Sequence, residues 1–142
     1  MAFNGKLIEL WIPNDSIYVE FPQKIIKAES YKVTPDQRME TSASRSASGL
    51  LKRTTATHTA SKIEFNTVPI NNTDISAIHG MLLDAYSDQQ QRKLNIRYYD
   101  PAIDDYKTGD VYIPDIDYNI LRIDRTKNVI YYDSIRFAFI EY

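Results

Sequence analysis

Apolar and polar residues alternate with a two-residue period along most of this chain. That is the period at which an extended strand sends successive side chains to opposite faces. The clearest run sets Thr59, Ser61, Ile63, Phe65 and Thr67 against Ala60, Lys62, Glu64 and Asn66, and breaks at Val68-Pro69. Leu94, Ile96 and Tyr98 alternate with Asn95, Arg97 and Tyr99, and Ile135, Phe137 and Phe139 with Arg136, Ala138 and Ile140. Shorter strands are predicted over Lys6 to Ile12, closed by Pro13-Asn14-Asp15, and over Ile25 to Val33, stopped by Thr34-Pro35-Asp36. Val111 to Ile113, Ile120 to Ile123 and Tyr131-Tyr132 complete a β-rich second half, built from the β-branched and aromatic residues that suit half-buried pleated surfaces.

Two segments depart from this period. Ile75, Ile78, Leu82 and Ala85 recur at helical spacing, so the pattern predicts one amphipathic helix over about residues 73–87. Asn72 or Thr73 caps it, Asp74 meets the dipole in the first turn, and Gly80 leaves room for close contact with a sheet. The other departure, Thr41 to His58, is rich in Ser, Thr and Ala, carries Arg45, Lys52 and Arg53, and has no acid and no Phe, Trp or Tyr. Its one sizeable apolar pair is Leu50-Leu51, after Gly49. Composition of this kind cannot bury enough surface to order itself. Two readings stand for a loop spanning about 36–58: a disordered surface segment, or an arm that orders against a neighbouring subunit with Leu50-Leu51 as its anchor.

Length and composition narrow the class. At 142 residues, with 43% hydrophobic and 25% charged residues, the chain reads as a single globular domain of residues 1–142. A formal charge of -2 excludes a strongly basic nucleic-acid binder, and zero cysteines exclude a disulfide scaffold, a thiolate metal site and a thiol nucleophile. The charge is uneven: residues 1–70 hold nine bases and seven acids, and residues 71–142 eight bases and twelve acids, a split that suits head-to-tail association. Met1 to Lys6 lacks the basic start of a signal peptide, and no apolar run is long enough to span a membrane as a helix.

Candidate chemistry is sparse. His58 and His79 show no metal-ligand spacing, and Asp100, Asp104, Asp105 and Asp110 read as a solvated hairpin turn because Pro101-Ala102-Ile103 breaks any calcium-loop pattern. Asp115 and Asp117 fall on one face of an extended segment, the arrangement of a paired-carboxylate hydrolase, yet Pro114 beside them favours an edge or turn. Ser42, Ser44, Ser46 and Ser48 have no nucleophile-elbow context. The reading is therefore of a protein that is not an enzyme and uses no cofactor. Nine of the eleven tyrosines lie from Tyr86 onward, including Tyr98-Tyr99 and Tyr131-Tyr132. Rings beyond those a core needs point to an interface, or to a carbohydrate-binding adhesive platform using Tyr98 and Tyr132.

Gly49-Leu50-Leu51-Lys52-Arg53, His58 through Thr67, Arg97-Tyr98-Tyr99-Asp100-Pro101 and the closing Arg136 to Tyr142 resemble a family of small prophage-encoded tail components. The order of elements is similar to the bacteriophage tail-tube and distal tail protein fold. The resemblance implies a mainly β (α+β) fold, an antiparallel β-sandwich or small barrel with one flanking helix. It further implies a virion structural protein, made in the bacterial host cytoplasm, that forms a homo-oligomeric, hexameric ring with other phage tail proteins. DNA would pass through the ring's channel without specific binding, past a wall of carboxylates; no membrane is involved. On this resemblance Arg45, Leu50, Leu51, Lys52 and Arg53 belong to an inter-ring arm, and Tyr98, Tyr99, Phe137, Phe139 and Tyr142 to sheet edges that join subunits. A tail completion or adaptor role is the nearest alternative.

Overall fold

The computed structural model describes residues 2–142, with the side chains of all but 39–42 and 55–58. Met1 and the side chains of Ser42 and His58, considered above, lie outside the described ones. The fold is mainly β and its paired strands run antiparallel, with one α-helix. The strands are β1 (Ile8–Ile12), β2 (Ile17–Glu20), β3 (Lys32–Arg45), β4 (Leu51–Asn66), β5 (Ile70–Asn71), β6 (Lys93–Asp100), β7 (Asp105–Tyr112), β8 (Ile120–Asp124), β9 (Val129–Tyr132) and β10 (Arg136–Glu141). A seven-stranded sheet has the order β2-β1-β6-β7-β10-β4-β3, and a second sheet the order β5-β9-β8.

Alternation converts directly into burial in the central strands. Along β6 every second residue is buried, so Leu94, Ile96 and Tyr98 face the core. Ile63 and Phe65 of β4 do the same against Phe137 and Phe139 of β10, their register partners being Phe137 for Phe65 and Phe139 for Ile63. Phe65 stacks on Phe137 with ring centroids 5.6 Å apart, and Phe21 meets both rings edge-on. The helix α1 (Asn72–Ala85) closes this core with Ile78, Leu82 and Ala85.

Several local expectations are corrected. The cap of α1 is Asn71, whose Oδ1 accepts from the Asp74 N–H at 2.9 Å, one residue earlier than expected. Gly80 faces open space, so it relieves no close helix–sheet contact. Ile25 to Val33 is not a strand: Pro22 introduces a 3-10 turn at Gln23–Ile25, a second follows at Ala28–Ser30, and β3 begins only at Lys32. The Ser30 hydroxyl contacts the Lys27 and Asn66 carbonyls and accepts from the Asn66 N–H, a local bond that competes with extended pairing. Thr34-Pro35-Asp36 does not stop β3. A bulge between Thr34 and Gln37 absorbs the proline, with Asp36 at φ +49°.

The largest correction concerns residues 36–58, which are not a loop. They form most of the β3–β4 hairpin, paired from Lys32↔Glu64 to Arg45↔Leu51. The ribbon's inward-facing backbone groups pair with one another, so it orders without a core of its own, and no apolar alternation marks it.

Candidate assembly interface

Among the described residues, β4 pairs with β10 only over Lys62–Asn66, while its pairing with β3 continues to Leu51. The eleven residues from Ser61 to Leu51 thus extend the hairpin about 35 Å past the pairing with β10, at ~3.3 Å per residue. Its tip is internally tied. The Gly49 N–H donates to the Ser46 carbonyl at 2.9 Å and the Ser46 N–H to the Leu50 carbonyl at 2.8 Å. Gly49 sits at φ +90°, a conformation that suits glycine, and the Arg45 guanidinium donates to its carbonyl at 2.9 Å. On this braced turn Leu50 and Leu51 stand 68% and 50% exposed. From Thr41 to Ile63 the sequence holds four bases and no acid, so an apolar pair is presented in a basic setting.

The two groups of predicted interface residues fare differently. Arg45, Leu50, Leu51, Lys52 and Arg53 gather at the projecting tip. Tyr98, Tyr99, Phe137, Phe139 and Tyr142 do not lie on free sheet edges, because β6 and β10 are interior strands of the seven-stranded sheet. Tyr98, Phe137 and Phe139 are buried in the chain's own core, since strands flanked on both sides supply its middle. Tyr99 packs edge-on against Phe3 and Tyr106, and Tyr142 against Tyr112 with the Lys93 ammonium 4.8 Å from its ring centre. Burial of Tyr98 also removes it from any sugar-binding platform, and burial pushes its phenol up from the ordinary tyrosine value. Tyr132 rests on Tyr118.

Among the described residues, unpaired edges belong instead to β2, β3 and the projecting part of β4 in the large sheet and to β5 and β8 of the small one. Sequence reasoning did not single out β8 as an exposed apolar strand. Ile120, Leu121 and Ile123 are each more than half exposed, although the strand reads as an ordinary apolar run. Two neighbouring residues exposed on opposite faces mark a strand that the chain alone does not cover.

The acidic half forms a groove. His79 and Leu82 of α1, with Tyr86 at its C-cap, line it together with Ile116, Asp117 and Tyr118 of the segment after β7 and with Arg92 and Asp115, around a volume of about 430 Å³. Asp115 and Asp117 line the same groove, as their spacing predicts. Asp115 is 90% exposed and is held by the Arg92 guanidinium. The Asp100 turn is also not fully solvated. Asp100 is wholly buried, and the Lys107 ammonium lies 3.0 Å from its carboxylate. Among the described residues no group of three His, Cys, Asp or Glu side chains could hold a metal ion, and no helix is long and apolar enough to cross a membrane.

The fold is similar to that of a chain in the tail of an empty GTA particle determined by helical refinement with C6 symmetry. The TM-score is 0.55 at 13% identity, over 99% of this chain and 95% of the other, a likeness of fold over the full length. No curated protein matches the sequence. Residues 1–142 match, end to end, the pattern of DUF6711, a family of unknown function, and the chain belongs to that family.

Proposed function

We propose that this chain is a structural subunit of a bacteriophage tail, assembling with copies of itself into rings around a channel for DNA. The observation that carries this reading is the combination of an end-to-end fold likeness to a chain of a C6-symmetric tail with a basic hairpin projecting from the body. Incomplete surfaces of this kind invite self-association: two sheets with open edges, three exposed aliphatics on β8 and a tip that buries nothing at home. Six copies per ring is the number the symmetry of that tail suggests. Positions in the tube or in the distal ring at the tip both fit, as does an adaptor at the tail end. DNA would pass without specific contacts, since a surface of net charge -2 offers phosphate little attraction.

Immunogold labelling of intact virions, made by a host carrying the encoding prophage, tests the proposal. Antibody against the purified chain should decorate the tail. Virions without label, with the protein found free in the lysate, would overturn it.

A further inference from the structure

The register relates the hairpin tip to the acidic groove. Lys62 lies opposite Ile140, Ile140 opposite Tyr112 and Tyr112 opposite Lys93, so these four residues share one level of the large sheet. Arg92, which lines the groove, immediately precedes Lys93. Leu51 is eleven residues beyond Lys62 in the opposite direction from the groove. At ~3.3 Å per residue the tip therefore stands about 35 Å from the groove's level. Tip and groove occupy opposite poles of one molecule, and the chain cannot fill its own groove with its own tip.

Their chemistry matches. The tip offers Leu50 and Leu51 with Lys52 beside them, and the groove is lined by Leu82, Tyr86 and Ile116 together with Asp115, Asp117 and Arg92. Arg92 is engaged by Asp115, which leaves Asp117, exposed and without a partner among the described residues, to meet a cation. Residues 71–91 of α1 and its flanks hold Asp74, Asp84 and Asp88 and no Lys or Arg, so that stretch of chain carries negative charge opposite in sign to the tip's.

We propose that the Leu50-Leu51 tip of one copy seats in the groove between α1 and residues 113–118 of a second copy, with Lys52 facing Asp117. This inference rests on the self-assembly reading and assigns its contact surface. A contact between different patches at opposite poles is heterologous. It propagates copies along the strand direction, generating a stack instead of a closed dimer.

The absence of native cysteines permits a clean test on the full-length chain. Leu50→Cys protein is mixed with His79→Cys protein under mild oxidation; both side chains are exposed, and His79 lines the groove without carrying its charge. The mixture should give a cross-linked heterodimer about fivefold in excess of a mixture with Ala102→Cys, whose residue lies in the exposed β6–β7 turn. Adding Lys52→Glu to the tip protein should cut the yield about fivefold, and Asp117→Lys in the groove protein should restore it. Equal cross-linking to residues 79 and 102, while the unmodified chain still forms rings or stacks, overturns this inference and leaves the self-assembly reading standing. No cross-link and no assembly of the unmodified chain overturns both.

Discussion

Glu9 and Arg97 are register partners across β1 and β6, and the guanidinium grips the carboxylate twice, Nε to Oε1 at 3.2 Å and Nη2 to Oε2 at 2.8 Å. Glu9 is only 3% exposed, so that fork stands in for the water its carboxylate has lost. Arg97 also lies 4.3 Å from the centre of the Tyr18 ring, and Tyr18 meets Trp11 edge-on. One side chain thereby ties β1, β6 and the edge strand β2. Removing it leaves a buried carboxylate uncompensated, so Arg97→Ala should destabilise the fold by about 3 kcal/mol in chemical denaturation. Arg97→Lys should recover only part, because an ammonium cannot make the two-pronged contact. A loss under about 0.5 kcal/mol would show the pair to be dispensable.

The second prediction concerns acid. Burial alone would raise the Glu64 carboxyl, but the hydrogen bond from Arg136 and the charges of Lys62, Arg136 and Lys32 outweigh it and hold the group below its ordinary value of 4.5. A depressed folded-state pKa contributes stability above the unfolded value, and that contribution disappears as pH falls through the folded one. Denaturation midpoints of the normal chain should therefore fall more steeply than those of Glu64→Gln between about pH 5 and pH 3. Parallel curves would remove Glu64 from the acid response.

The core allows a third. Phe65 is 1% exposed, stacked on Phe137 and Phe139 and edge-on to Phe21. Phe65→Ala should cost about 3–5 kcal/mol, measured by urea unfolding, through lost burial and the cavity left behind. Leu51→Ala, at a 50% exposed tip, should cost nearly nothing in the same measurement.

Shortening the hairpin separates folding from assembly. Residues 43–53 pair only within the ribbon among the described residues, so replacing Ala43 to Arg53 by a two-residue turn removes no core contact. The shortened chain should unfold within about 1 kcal/mol of the full one while losing its self-association. Unchanged association would mean that the arm has no part in assembly.

The sequence exposed the core more readily than the periphery. Leu94, Ile96, Tyr98, Ile63, Phe65, Phe137 and Phe139 alternate because one face of each strand is buried, and burial is what periodicity records. The hairpin was hidden for the converse reason. A two-stranded ribbon exposed on both faces needs no apolar face, and Thr, Ser and Ala there resemble a loop. Tyr98, Phe137 and Phe139 were misplaced to free edges because alternation specifies faces and not neighbours; strand order follows from long-range pairing that no local pattern carries. The groove was half legible: the spacing of Asp115 and Asp117 gave their common side, but not that α1 stands across from them.

Negative-stain electron microscopy of the purified full-length chain, paired with sedimentation velocity over a concentration series, bears most directly on the claim that this surface is completed by further copies. Annular particles or stacks that grow with concentration are the predicted result. A single sedimenting species of monomer mass at every concentration, with no annular particle on the grid, would contradict it.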